Sequence, residues 1–265
     1  MKYEKIVKAK FIERPNRFVA KVAIEGEEEV VRVHVKNTGR CKELLIPGTT
    51  VYLEDFEGRM GNRKMRYSLI AVEKNLAIGK QTDGKQGERV DADIQTLLIN
   101  MDSQAPNKVV HEALKSGVLK LPGFSQLTNI QPEKTYGKSR FDFYVEGISG
   151  SGANEKIQKA FIEVKGVTLE SDGFARFPDA PTERGVKHIE ELCGAIDDGY
   201  KAYIVFVIQM KKIHTFGPNY ETHPQFGEAL AKAAEKGVQI LAYDCEVTPD
   251  SLQLDMPVSV ELKKL

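Results

Sequence analysis

The stretch Ala160–Leu169, AFIEVKGVTL, decides how the second half of the chain is read. Its apolar residues run as a strand, yet Glu163 and Lys165 interrupt the run two positions apart. Side chains alternate faces along a strand, so Glu163 and Lys165 point one way, Ile162 and Val164 the other. Upstream, SRFDFYVEG (139–147) alternates too, with Phe141, Phe143 and Val145 set against Arg140, Asp142 and Tyr144. The segment between them, ISGSGANEK, is rich in Gly and Ser and suits the loop of an antiparallel hairpin. Such a hairpin puts Asp142 and Glu163 on one face of adjacent strands, with Lys165 following on that face.

Neighbouring carboxylates repel each other unless a cation lies between them. Hard oxygen ligands of this kind suit Mg²⁺ or Mn²⁺, and Mg²⁺ keeps several waters and completes its shell with substrate phosphate. A lysine alongside meets the phosphate or orients the attacking water, which makes phosphodiester cleavage chemically sensible. The Asp142–Glu163–Lys165 spacing resembles the motif of the PD-(D/E)xK nucleases, with Phe141 where the motif's first proline stands. A solvated strand carrying a Glu–Lys pair is the competing reading, because surface charge pairs are common and contribute little. Further along, PTERGVKHIEEL (181–192) predicts a helix with Thr182 as its N-cap and an apolar stripe from Val186. Arg184, His188 and Glu191 fall together beside that stripe. They suit phosphate oxygens, with Arg184 as a bidentate partner and Lys187 as a point charge. A surface pair of His188 and Glu191 is the plainer alternative. The candidate catalytic set is Asp142, Glu163, Lys165, Arg184, Lys187 and His188. Asp142 and Glu163 are the candidate metal ligands, with Glu112 as a further acid unless it is simply an exposed helix carboxylate.

Working outward, the first 75 or so residues read as short alternating strands. Phe18, Ala20, Val22 and Ile24 fall on one face, and Val31, Val33 and Val35 alternate with Arg32, His34 and Lys36. Three strands, a short helical or looped insert at GRCKELL and two more strands fit a closed five-stranded barrel of OB type. An unrelated five-stranded β-subdomain fits as well. Polar, glycine-bearing TDGKQGERVD (82–91) reads as the boundary, giving an OB-fold nucleic-acid-binding domain at 1–85 and an α/β (α+β) nuclease-like domain at 86–265. In the second domain, 90–98 and 107–116 read as helices, and KAYIVFVIQM reads as a strand buried on both faces. PQFGEALAKAAEKG reads as a helix ending at Gly237, and VQILAYDCEV as another strand. A mixed sheet flanked by helices follows.

Composition excludes several classes. Of 265 residues, 41% are hydrophobic and 29% charged, which is globular rather than disordered. No apolar run approaches the roughly 20 residues of a membrane span, and the N-terminus lacks the apolar core of a secretory signal. Cys41, Cys193 and Cys245 are odd in number and scattered, which suits a reducing cytoplasm rather than a disulfide framework. Net charge is zero, with a basic excess in residues 1–85 and an acidic excess behind it.

Four strings in order, HVKNTGRCKELLIPG (34–48), YGKSRFDFYVEG (136–147), FIEVKGVTL (161–169) and PTERGVKHIEEL, resemble the sugar fermentation stimulation protein family of bacteria and archaea. The resemblance runs from Phe11 to about Val247. It implies an N-terminal OB fold, a PD-(D/E)xK-type second domain, DNA binding and a regulatory part in sugar (maltose) catabolism. By position, Asp142, Glu163 and Lys165 occupy the nuclease motif, and Asn37, Thr38, Gly39 and Arg40 the family's NTGR string. Those four, with Arg140, are the candidate DNA contacts through main-chain N–H groups and guanidinium. A tight turn using Asn and Gly for backbone geometry is the equal alternative. ETHPQF (221–226) departs from the family by carrying Thr222 and His223 before Pro224, where an aspartate–proline pair is expected. The expectation is a DNA-binding protein with a Mg²⁺-dependent phosphodiesterase site. The alternative is a DNA-binding regulator whose nuclease-like domain only recognises DNA. Paired carboxylates also serve glycosidases, but the lysine and the Arg/Lys/His helix are phosphate chemistry.

Overall fold

The computed structural model describes residues 1–37, 39–76, 95–150 and 152–263. Its N-terminal part is built from β1 (Ile6–Asn16), β2 (Val19–Ile24), β3 (Val31–Val35), β4 (Thr50–Asp55) and β5 (Tyr67–Asn75). They lie in the order β3-β2-β1-β4-β5, and a parallel β3–β5 pairing, His34 with Ser68 and Val35 with Leu69, closes the barrel. Closure removes the exposed edges that an open sheet of this size would present. Ala20, Val22, Val33, Val35, Leu53 and Leu69 fill the interior. Phe18, expected on one face with Ala20, Val22 and Ile24, precedes β2 and is exposed while those three are buried. The GRCKELL insert is looped and carries turns, with Cys41, Leu44 and Leu45 buried beneath it.

The helix expected at 90–98 is not there: β6 (Thr96–Asn100) runs antiparallel to β5, while residues 90–94 fall outside the described ones. Leu97 and Ile99 are buried two positions apart, a period that the intervening Leu98 disguises. The open edge of β5 supplies the hydrogen-bond partners that settle the choice. The expected boundary between 85 and 86 also falls outside the described residues. Two segments cross that division, because β6 extends the barrel sheet and Met1–Tyr3 reach the second domain. There the Met1 amine donates to the carbonyl of Leu252, and the Tyr3 N–H to that of Asp250.

Helix α1 (Ala105–Ser116) precedes β7 (Gln126–Tyr136), β8 (Ser139–Ser149) and β9 (Lys156–Val167). Then come β10 (Leu169–Ser171), β11 (Phe174–Phe177), α2 (Glu183–Asp197), β12 (Lys201–Ile208), β13 (Thr215–Pro218) and α3 (Pro224–Lys236). The chain ends with β14 (Gln239–Thr248), β15 (Ser251–Pro257) and β16 (Ser259–Val260). The main sheet has the order β15-β14-β12-β9-β8-β7, with β9, β12 and β14 parallel. A second small sheet has the order β10-β11-β13-β16.

Helix α1 covers one face of the main sheet and α2 with α3 the other, which is why β12 is apolar and buried from Ala202 onward. Each fully buried Val, Ile or Phe side chain of such a strand contributes roughly 1.5–3 kcal/mol. Thr182 caps α2 as expected, its hydroxyl accepting from the Gly185 N–H at 3.1 Å. Gly237, in the left-handed conformation, ends α3. Among the described residues no helix is long and apolar enough to cross a membrane.

Candidate functional site

The predicted hairpin forms. Phe143 pairs with Ile162 across β8 and β9, the last pair of the ladder before Asp142 and Glu163, and Asp142 reaches across to the Val164 N–H. The even alternation expected of β8 does not survive this point. Phe141 packs edge-on against His188 of α2 at 6.1 Å, while Phe143 meets His111 of α1 at 5.6 Å. Two residues that should share a face therefore serve opposite faces. Tyr144, expected on a polar face, is buried against Phe161. Helices cover both sides of the sheet, so neither face of β8 can be a solvated one.

Asp142 is tied toward the start of α1. Its Oδ1 accepts from Asn107 Nδ2 at 2.7 Å and its Oδ2 from the Val164 N–H at 2.8 Å. The positive end of the α1 dipole favours a carboxylate there. Even so, burial and the charge of Glu163 push the Asp142 carboxyl above the usual aspartate range, against the pull of Val164, Asn107 and Lys165. Glu163 is tied toward α2. Only 4% exposed, it accepts on one oxygen, Oε1, from both Lys165 Nζ and His188 Nδ1, each at 2.5 Å. Burial raises its carboxyl, but the His188 hydrogen bond and the Lys165 charge outweigh burial and hold it below the usual glutamate range.

Arg184 Nε donates to His188 Nε2 at 3.3 Å, so Nε2 is the unprotonated nitrogen and Nδ1 carries the proton given to Glu163. An ordered line Arg184–His188–Glu163 results. The second oxygen of Glu163, Oε2, is buried and has no hydrogen-bond partner among the described residues. A buried carboxylate oxygen without a partner is costly. With the Asp142 carboxyl near enough that the Glu163 charge disfavours its ionisation, this oxygen suits a divalent cation. Among the described residues no group of three or more His, Cys, Asp or Glu side chains is arranged to hold a metal. The donor set is thus two carboxylates, which suits an ion that keeps several waters, such as Mg²⁺, rather than a fully protein-ligated one.

Comparison with known proteins decides the family. The model described as the sugar fermentation stimulation protein RE domain matches residues 104–251, and that of the SfsA N-terminal OB domain matches residues 12–80. The chain belongs to the sugar fermentation stimulation protein family. Homologues of that description from Desulfitobacterium hafniense (strain DSM 10664 / DCB-2) and Clostridium beijerinckii are 52% and 51% identical. The first match covers 99% of both chains, the second 99% of this chain and all of its relative. Among solved structures, Pyrococcus furiosus SfsA in complex with Ca²⁺ superposes with a TM-score of 0.75 at 27% identity, covering 98% of each chain. The OB barrel and the mixed α/β second domain are those of the family.

The remaining candidates divide. Lys187 is exposed and pairs with Glu191 at 3.7 Å, away from Glu163. Glu112 does not join the two carboxylates; exposed on α1, it holds the Met1 amine at 2.7 Å. The amine satisfies its charge at the domain crossing, so the exposed-carboxylate alternative is the one observed. Arg140 is exposed near the β7–β8 turn and pairs with Glu133 at 3.5 Å. In the NTGR string Thr38 lies outside the described residues. Asn37 Oδ1 accepts from the Gly39 N–H at 2.8 Å, which is the tight-turn reading. That turn is held by a residue the sequence did not single out. The Arg14 guanidinium donates to the carbonyls of Arg17 (2.8 Å), Asn37 (2.6 Å), Gly39 (2.8 Å) and Arg40 (2.9 Å). Replacing Arg14 by alanine strands these carbonyls and is expected to destabilise the protein by about 2 kcal/mol or more, read as a lower urea midpoint at constant slope. A midpoint within error of wild type would mean that water replaces the guanidinium without loss.

At ETHPQF, His223 sits at the start of α3 and its Nδ1 accepts from the Thr182 N–H at 3.3 Å. It therefore joins the beginnings of α2 and α3 and takes no part beside Glu163. Asn107, which orients Asp142, was also missed. Its only signal is a polar residue in the first turn of a helix predicted to lie nearby.

Proposed function

We propose that this protein binds DNA and cleaves its phosphodiester backbone at a divalent-cation site held by Asp142 and Glu163. The observation that carries the reading is the buried Glu163 Oε2, which has no hydrogen-bond partner among the described residues while Oε1 accepts from Lys165 and His188. The complex of Pyrococcus furiosus SfsA with Ca²⁺ supports a divalent ion in this chain as well. Mg²⁺ or Mn²⁺ is the working ion in this reading. When bound, such an ion activates water and stabilises charge on the scissile group.

The chain's own residues supply the rest. His188 fixes the rotamer of Glu163 by donating to Oε1, and Arg184 fixes the tautomer of His188. Arg184 makes no ion pair among the described residues, so its remaining N–H groups are available to a phosphate oxygen. Lys165 is positioned beside Glu163 to donate to the phosphate as negative charge builds there. The basic barrel holds the strand through Lys/Arg contacts and base stacking. In this reading the activity serves the control of sugar catabolism, in keeping with the family's description as sugar fermentation stimulation proteins. Three free thiols suit the cytoplasm as its place of work.

Two assays separate the parts of this reading. Filter binding in Ca²⁺ should give an affinity for DNA that falls steeply with salt, as phosphate contacts require. Incubation of the same protein with single- and double-stranded DNA in Mg²⁺ and Mn²⁺ should give nicked or shortened products. Binding without products under any of these conditions selects the regulator whose nuclease-like domain only recognises DNA. Absence of binding rejects both.

A further inference from the structure

A cleft of about 180 Å³ lies between Asn37 and Gly39 of the barrel and the second domain. Asn37 and Gly39 form one wall, while Gly166, Arg176, Asp179 and Gln209 form the other. Both walls are built rather than incidental. The Arg14 clamp fixes the turn, and Gly39 lies so close to the Asp179 carboxylate that a Cβ there would collide with it. Gln209 Nε2 is anchored to Asn100 Oδ1 at 3.0 Å and to the Asp102 carbonyl at 3.1 Å. That anchor leaves Oε1 as a fixed acceptor over Gly166, where a Cβ would lie 2.6 Å from it.

The groups that face the cleft include both donors and acceptors. Asn37 spends its oxygen on Gly39, which leaves Nδ2 to donate. Arg176 forms no ion pair among the described residues and lays its guanidinium over Phe174 at 4.4 Å. Gln209 Oε1 and Asp179 accept. Gly166 directly follows Lys165 on β9, so the cleft opens beside the strand segment that carries the two-carboxylate site.

We propose that this cleft receives one unpaired nucleotide of the bound strand, so that the protein acts on single-stranded or locally opened DNA rather than on an intact duplex. The inference rests on the DNA-binding reading above. The volume is below the roughly 300–1,000 Å³ of a drug-sized site and suits one planar base. A duplex, whose major groove alone is about 12 Å wide, cannot enter it. Fixed donors and acceptors on facing walls match the mixed edge of a nucleobase, and enzymes that act on nucleotides commonly take the base out of its stack in this way.

The test uses the full chain with Ca²⁺ and a short single-stranded DNA carrying one 2-aminopurine, whose fluorescence rises when it leaves the base stack. The oligonucleotide is checked on a gel to be intact. Wild type should raise the fluorescence and should bind single strands, or duplexes with a central mismatch, at least about tenfold more tightly than a matched duplex, the worth of one good base contact. Arg176→Gln and Asp179→Leu should remove the fluorescence rise and most of that preference while leaving matched-duplex affinity within about threefold, because phosphate contacts elsewhere supply that affinity. Thermal melts establish that both variants fold; if Asp179→Leu does not, Asp179→Asn takes its place. DNA binding with no strand preference and no fluorescence change overturns the cleft assignment and leaves the DNA-binding reading intact. No DNA binding at all overturns both. A fluorescence rise from a protein that yields no products in Mg²⁺ or Mn²⁺ upholds the cleft and rejects only turnover.

Discussion

Glu163→Gln is expected to abolish the stabilisation that Ca²⁺ or Mg²⁺ gives the wild type and to lower cleavage at least about a hundredfold. An ion at a hundred times its Kd stabilises by about 2.7 kcal/mol, a rise in melting temperature that is readily seen and that the variant should lack. The substitution also harms the metal-free protein. It removes the charge that Lys165 and His188 share on Oε1 and leaves Lys165, 16% exposed, without its partner. Breaking a buried pair in this way costs about 3 kcal/mol. The loss should depend on pH. Glu163 is held below its ordinary 4.5, so its contribution is complete above that value and disappears as pH falls through the lowered one. Urea denaturation of both proteins between pH 3 and 7 should therefore show the gap narrowing toward the acid end. A variant that gains as much from Ca²⁺ as wild type would remove Glu163 from the ligand set.

Why some of this was legible in the sequence and some was not follows from the reach of each interaction. Glu163 and Lys165 stand out because charged residues inside a strand of Phe, Ile and Val contradict their neighbours, and such contradictions gather at functional sites. Thr182, the α2 stripe and Gly237 were readable because caps and helical periodicity act within a few residues. The small sheet β10-β11-β13-β16 was not, because strands of two to four residues carry too short a pattern. Strand β6 was misread because the edge of β5, twenty residues away, chose its conformation. The partners that shape the site act over longer separations still. Asn107 meets Asp142 across 35 positions, and Gln209 meets Asn100 across 109. No local rule connects such residues. The faces of β8 failed for a related reason: alternation reports which side of a sheet is wet, and here helices cover both.

Asp142→Asn should lose the metal just as Glu163→Gln does, yet change the metal-free protein in the opposite direction. Burial and the charge of Glu163 raise the Asp142 carboxyl above its ordinary 3.8. Such a carboxyl favours the folded state only while protonated. Its contribution is complete below 3.8 and is lost as pH rises through the raised value, so ionised Asp142 weighs against folding at neutral pH. Asparagine removes that charge. Its amide oxygen can still accept from the Val164 N–H, and rotating the Asn107 amide restores the second hydrogen bond. The metal-free variant should therefore melt above metal-free wild type at pH 7, and the two should converge in acid. With saturating Ca²⁺ the order should reverse, because only wild type gains the roughly 2.7 kcal/mol available at a hundred times Kd. This reversal distinguishes a cation site from a structural carboxylate pair. Two carboxylates kept for packing would give one order in both conditions, whereas carboxylates held in repulsion for an ion must change places when it binds. Differential scanning calorimetry with EDTA and with Ca²⁺ reads both orders, and an unchanged order would reject metal binding at Asp142.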